Sequence, residues 1–334
     1  MSGPDSAGRL RLVVASIDDD VADVRRLTLA AENGGGAELP SYTPGSHLVV
    51  DIPPGPERPR ALANAYSLVG ESLHPTTYEI AVLRCDPERG GAGGSAWIHD
   101  LQPGDRVTAL SPRSGFAPVQ PATRHLLVAA GIGITPLVSH LRSHVRWGRE
   151  FEVLYLFRVG RGALLDEVDQ LAGGAATFWH DRVALMAHLR RRLADQPIGT
   201  HLYTCGPAGF MDVVVDEAAA AGWPNSRVHL EPFGLDDLDP GEPFTVTVDD
   251  RTFEVPSGTS LLEELEEQGY DVANLCRQGV CGECRLDLGP ASTGVWHRDL
   301  FLSDDDKATG DCAMACVSRA LPAADGHAHL EVIL

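Results

Sequence analysis

Residues 276–286 read CRQGVCGECRL. The stretch packs Cys276, Cys281 and Cys284 into nine residues, with Gly279 and Gly282 between them, so one short loop can turn three thiols toward a common point. Such crowding serves a disulfide, a metal or a redox group, and the rest of the chain narrows the choice. Seven cysteines in 334 residues is an odd number, and they are clustered rather than spread. The opening MSGPDSAGRLRLVV lacks the apolar core of a signal peptide, and no apolar run reaches the roughly 18–20 residues that span a bilayer. A cytoplasmic protein with no membrane association is expected. Its reducing surroundings disfavour a disulfide framework and favour a metal or redox role.

The spacing C-x4-C-x2-C is that of plant-type [2Fe–2S] ferredoxins, whereas zinc more often takes paired C-x2-C units. Two irons need four thiolates. The loop supplies three, and DCAMACVSRA (311–320) offers Cys312 and Cys316 for the fourth. Small residues in the loop let its amides point at the cluster sulfurs, and those hydrogen bonds help set the potential.

Working outward, the segment before the loop reads as a small mixed domain. FTVTVDDRTFEV (244–255) has the alternation of a hairpin. SLLEELEEQG (260–269) reads as a helix whose Ser260 and Glu263 fit a capping box. An acidic Pro/Gly linker, 234–241, separates this domain, 242–334, from what precedes it. Residues 119–233 alternate apolar strands with helices: RHLLVAAGIGITPLVSHLRSHVRWG, FEVLYLFR and THLYTCGPAGFMDVVVDEAAAAG imply a parallel sheet flanked by helices. Within it, AHLRRRLAD reads as a solvated helix face. Residues 1–118 carry short strands (RLVVASI, SHLVVDIP, AYSLVG, YEIAVLR, RVTALSP) divided by Gly and Pro, and an antiparallel barrel is their simplest closure.

The formal charge is −20, which excludes nucleic acid as a natural partner. The acid is uneven: 241–334 holds 18 Asp/Glu against 6 Lys/Arg, a net of −12. Glu283 and Asp304–Asp306 lie close to the cysteines in sequence, so this surface is a candidate for docking an electron acceptor.

Together CRQGVCGEC, HRD (297–299), LSDDD (302–306) and CVSRA (316–320) resemble the C-terminal ferredoxin domain of the phthalate dioxygenase reductase family. The resemblance extends from about residue 10 to Leu334. It implies an antiparallel β-barrel flavin domain, an α/β nicotinamide domain with a parallel sheet, and a C-terminal β-grasp ferredoxin domain. The family's fourth ligand is the cysteine before xSR, so the implied metal ligands are Cys276, Cys281, Cys284 and Cys316.

NAYSLVG (64–70) resembles the family's flavin motif R-x-Y-S, which implies FMN contacts from Tyr66, Ser67 and Leu68. The motif's arginine is absent. Asn64 stands in its place, and Arg60, Arg84 or Arg89 would have to meet the flavin phosphate. Gly93, Gly94 and Ser95 could add loop amides at a helix start. GIGITP (131–136) and YTCGPAGFM (203–211) resemble the two turns that flank NADH in ferredoxin-reductase-like folds. They implicate Gly131, Gly133, Thr135, Pro136, Cys205, Gly206 and Pro207, with Phe233 of VHLEPFG beside the flavin. Ser67, Thr135 and Cys205 would stand nearest the reacting rings. Arg158 and Arg161 could touch adenosine phosphates, with NADH favoured over NADPH. The histidines, His47 and His99 among them, show no ligand spacing and read as structural.

The resemblance implies a reductase component that passes electrons from NADH through FMN and a [2Fe–2S] cluster to a terminal oxygenase, of Rieske non-haem iron type in this family. A cytochrome P450 partner, a stand-alone NADH:quinone or ferric reductase, and a redox-sensing binding protein are the alternatives.

Overall fold

The computed structural model describes residues 9–32, 36–55, 61–85, 93–233, 239–274, 277, 279–299 and 301–334, the side chain of Asp304 apart. Cys276, Arg60, Arg89 and linker residues 234–238 lie outside them. The chain divides into two compact units, Met1–Asp51 with Ala65–Phe233, and Ile52–Asn64 with Gly234–Leu334.

Six strands build the first sheet: β1 (Arg9–Val21), β2 (Val24–Ala31), β3 (His47–Ile52), β4 (Leu62–Ser67), β5 (Thr77–Leu83) and β6 (Arg106–Leu110), in the order β4-β3-β6-β1-β2-β5. An antiparallel bridge from Leu68 to Ile80 joins the two ends of that order, which gives the barrel. Leu12, Leu27, Leu29, Leu48, Tyr78 and Ile80 fill it. Strand β2 had no counterpart in the sequence reading, because Arg25–Arg26 interrupts its alternation. In the fold Arg26 is paired with Glu79 and Glu167 and so is accommodated at the strand's margin. Helix α1 (Gly94–Asp100) follows β5.

The second sheet is parallel throughout, in the order β11-β10-β7-β8-β9. It is built from β7 (Arg124–Ala130), α2 (Ile134–Arg146), β8 (Phe151–Leu156), α3 (Leu165–Ala172), β9 (Ala176–Trp179), α4 (Arg182–Ala194), β10 (Thr200–Cys205), α5 (Ala208–Ala220) and β11 (Val228–Glu231). The central strands are buried on both faces, hence their unbroken apolar runs. Helix α4 corrects the reading of AHLRRRLAD. Leu189 and Leu193 are buried against the sheet, and Arg192 donates to the carboxylate of Glu152. Three arginines in a row hid the apolar stripe.

The third sheet, order β13-β12-β18-β14-β16, uses β12 (Phe244–Val248), β13 (Arg251–Val255), β14 (Arg285–Leu288), β16 (Cys312–Met314) and β18 (His329–Ile333). Parallel pairing of β12 with β18 and antiparallel pairing elsewhere, with α6 (Leu261–Glu267) buried against them, make the β-grasp arrangement. Ser260 and Glu263 form the expected capping box. The short strands β15 (Val295–Trp296) and β17 (Arg319–Ala320) pair separately, and α7 (Asp304–Thr309) follows Ser303. Among the described residues no helix is long and apolar enough to cross a membrane.

Candidate electron-transfer sites

A cavity of about 910 Å3 lies within the first unit. Its walls include Gly131 and Gly133 after β7, Gly206 and Pro207 after β10, and Arg158 after β8, with Phe233 and the barrel residues Ala22–Val24 and Leu83 completing them. The two glycine turns touch. A Cβ on Gly133 would lie 2.4 Å from the Cys205 carbonyl oxygen, so only glycine lets both turns approach at the sheet's C-terminal edge. Strand ends with bare backbone at this edge suit a flat ring and a pyrophosphate.

Other expected residues stand behind that wall. Thr135 and Pro136 are buried in the first turn of α2, and the Thr135 hydroxyl donates to the Ile132 carbonyl (3.0 Å). Cys205 is fully buried, and burial pushes its thiol well above the ordinary range. Opposite Cys205 on β11 is Glu231, which sequence reasoning missed although VHLEPFG had it in view. It is buried, its Oε1 lies 4.0 Å from His47 Nδ1, and burial pushes its carboxyl up to about 8. His180 and Arg182, just after β9, also line the cavity and went unread because β9 itself was unread. Arg161 lines it too, bonded to Asp23 (2.5 Å) and the Ala22 carbonyl (3.1 Å), which links the nucleotide sheet to the barrel.

In the barrel, Tyr66 is half-buried and Leu68 belongs to the core. Ser67 is buried, and its Oγ has no hydrogen-bond partner among the described residues. A buried hydroxyl left open is costly unless something meets it, and this is the feature that fits a flavin edge. Gly93, in the left-handed region, caps α1 ahead of Gly94. The Ser95 hydroxyl is engaged with the backbone of Cys85, accepting from its N–H (2.9 Å) and donating to its carbonyl (3.2 Å). What that turn can give a phosphate is therefore backbone. Arg84 is half-buried and lines a smaller cavity with Asp19, Asp20, Asp23 and His99.

The cysteine site is built differently. Cys281, Cys284 and Cys316 are all buried. Sγ of Cys284 and Sγ of Cys316 are 3.2 Å apart, and the Gly279 amide donates to Cys316 Sγ (3.2 Å). Gly282 is in the left-handed region, and a Cβ there would strike the Phe301 ring at 2.2 Å. Cys316 leaves β16 on a turn tied by the Ser318 hydroxyl to the Met314 amide (3.1 Å). Cys312 sits on β16 facing Arg285, and burial raises its thiol while the hydrogen bond to Arg285 opposes this. Among the described residues no group of three His, Cys, Asp or Glu is arranged to hold a metal ion; the paired thiols and the amide aimed at one of them are what fits a cluster. Five histidines gather under the nucleotide sheet: His125 stacks on His144 (4.0 Å), His140 and His229 pack on Tyr203, and His201 Nδ1 lies 2.9 Å from His229 Nε2.

A family model described as a 2Fe-2S iron-sulfur cluster binding domain matches residues 244–321, and one described as the dimethylamine monooxygenase subunit DmmA-like N-terminal domain matches 106–228. The chain is 37% identical over 315 residues to the heme-dependent oxidative N-demethylase beta subunit of Ectopseudomonas mendocina (strain ymp), covering 91% of this chain and 96% of that one. It is 35% identical over 331 residues to phthalate dioxygenase reductase of Burkholderia cepacia, covering 96% and 97%. The solved structure of phthalate dioxygenase reductase superposes with a TM-score of 0.67 at 33% identity, over 99% of this chain and all of that one. An intact type IV self-sufficient cytochrome P450 monooxygenase superposes at 0.76 with 29% identity, and there this chain spans 42% of the longer protein.

Proposed function

The chain belongs to the phthalate dioxygenase reductase family, and from that premise we propose that it is the reductase component serving a terminal oxygenase of the Rieske non-haem iron type, in the cytoplasm. Its chemistry is that of an NADH-dependent flavin iron–sulfur oxidoreductase, with FMN, NADH and a [2Fe–2S] cluster as cofactors. A bound flavin takes two electrons as a hydride and returns them singly, as a [2Fe–2S] cluster requires.

The residues divide that work. Gly131, Gly133, Gly206 and Pro207 leave bare backbone against a nicotinamide, and Arg158 stands where a nucleotide phosphate would end. Tyr66 and Ser67 meet the flavin, and the open Ser67 hydroxyl offers a hydrogen bond to its polar edge. Thr135 and Cys205 support the two turns from behind. Cys276, Cys281, Cys284 and Cys316 hold the cluster, with the Gly279 amide donating to the Cys316 sulfur. Residues 1–118, 119–233 and 242–334 are the corresponding flavin, nicotinamide and ferredoxin domains, with 234–241 as the linker.

The observation that carries this reading is the cavity of about 910 Å3 whose walls come from the barrel and from both nucleotide turns. A haem-containing partner is a second reading, favoured by the 37% identity to a subunit of a heme-dependent N-demethylase. Anaerobic stopped-flow mixing of the NADH-reduced protein with purified Rieske-type and haem-type oxygenases decides between them. Fast reduction of a Rieske centre is expected, and reduction of haem alone would overturn the first reading in favour of the second.

A further inference from the structure

The HRD stretch, 297–299, is part of the resemblance but has no role in the sites above. In the fold this segment braces the cysteine loop. A Cβ on Gly279 would meet Asp299 at 3.0 Å, and Phe301, two residues on, lies over Gly282. The Asp299 carboxylate accepts from the amides of Phe301 (3.1 Å) and Leu302 (2.7 Å), which holds the brace in shape.

Arg298 faces the other cysteine. Its Nε donates to the carbonyl of Val317 (2.6 Å), the residue after Cys316, and its Nη1 donates to the carbonyl of Asp239 (2.6 Å). The guanidinium lies over the Trp296 ring at 5.0 Å. A cavity of about 380 Å3 is lined by Arg298 and Cys316 together, with Arg277 and Arg319 also in its wall. Arg277 is paired with Glu266. Arg319 is buried and spends its Nη atoms on the carbonyls of Thr259, Glu242 and Pro256. Among the described residues the hydrogen-bond acceptors of Arg298 are carbonyls rather than a carboxylate. Burial pulls it below its ordinary range, opposed by Asp239. A partly buried cation is thus maintained beside the fourth thiol in a domain of net −12.

We propose that Arg298 is a positioning residue for electron transfer: it fixes the Cys316 turn through the Val317 carbonyl, and its charge favours the reduced form of the cluster bound there. Cluster potentials respond to net charge and to hydrogen bonding around the sulfurs. An added electron is held more tightly beside a guanidinium than beside a neutral group, most of all where solvent screens poorly. Unit charges about 4 Å apart change such an equilibrium by about fivefold at the dielectric of water; poorer screening enlarges this and Asp239 opposes it, leaving roughly fivefold.

The inference rests on Cys316 as a ligand, so the test begins with iron and sulfide content of the full-length holoprotein, which reports on that premise separately. The cluster potential is then read by EPR-monitored redox titration. Arg298→Gln should keep the cluster and lower its reduction equilibrium constant roughly fivefold, about 40 mV at 59 mV per decade. Arg298→Lys, which retains the charge but not the fork, should stay within twofold of the parent. An assembled Gln variant with the parent potential would overturn the proposal. So would a Lys variant displaced as far as the Gln variant. If the Gln variant assembles no cluster, the Lys variant alone decides: unchanged potential supports the role of charge, and a fivefold fall refutes it.

Discussion

The cysteine loop and the nucleotide cavity solve the same problem, holding a redox group, by opposite means. Cys281 and Cys284 come from one loop of the β-grasp unit, and Cys316 joins them from a single neighbouring turn. The cavity's wall is drawn from the β1–β2 turn, the end of β5, four separate strand ends of the parallel sheet and Phe233. A site drawn from one loop concentrates its chemistry in a few side chains. A site gathered from many segments uses backbone and shape, and no single side chain in it is indispensable. Single substitutions should therefore abolish the first and only weaken the second.

The largest effect expected is at the thiols. Cys276→Ser, Cys281→Ser, Cys284→Ser and Cys316→Ser should each lose the cluster, read as iron, sulfide and visible absorption, while Cys312→Ser retains it. Loss in the Cys312 variant with retention in the Cys316 variant would reverse the ligand assignment.

In the cavity, the severest single change should be steric rather than chemical. Gly133→Ala forces the two turns apart at the Cys205 carbonyl. Misplacement of a nicotinamide by about 1 Å costs on the order of 10²-fold. Anaerobic stopped-flow reduction of the flavin by NADH should slow by roughly that factor while iron content stays at the parent level. A loss below tenfold would mean that the turns can part without penalty.

The histidines beneath the parallel sheet distinguish the two units by pH. Burial lowers His125 to about 4, His140 to about 3 and His144 to about 2, so all three are neutral in the fold. An unfolded histidine binds its proton near pH 6.5. The stabilisation is therefore present above pH 6.5 and is lost as pH falls from there toward the folded values, by about 2 kcal/mol per histidine at pH 5. The melting transition of the nucleotide-binding unit should fall steeply between pH 7 and 5, and that of the ferredoxin unit far less. His144→Phe, which preserves the stack on His125 and Phe151, should remove about one histidine's share of the loss. Parallel melting of both units across this range would refute the assignment.

The smallest effect belongs to the acidic surface of the ferredoxin unit. Asp306 is committed to the cap of α7, where it accepts from the Ser303 amide (3.2 Å), and is no docking group. Asp304→Asn with Asp305→Asn should slow reduction of the oxygenase a few-fold at low salt, with the difference vanishing as screening sets in. NADH-driven reduction of a small dye should not change. Equal rates for parent and variant at low salt would leave this charge to solubility alone.

What the linear chain determined was whatever depends on neighbours in sequence. The C-x4-C-x2-C spacing, the hairpin and capped helix before it, the unbroken apolar parallel strands and the order of the motifs were all legible, because ligand convergence, caps and burial periodicity act over a few residues. Strand β2 and the apolar face of α4 were not legible, since runs of arginine covered them until Glu79, Glu167 and Glu152 supplied partners from distant segments. Only the tertiary structure brought Glu231 opposite Cys205, stacked His125 on His144, and set Arg298 between the Cys316 turn and Asp239. These are contacts between residues roughly twenty to sixty positions apart, where burial and hydrogen bonding are decided by packing that no local pattern records.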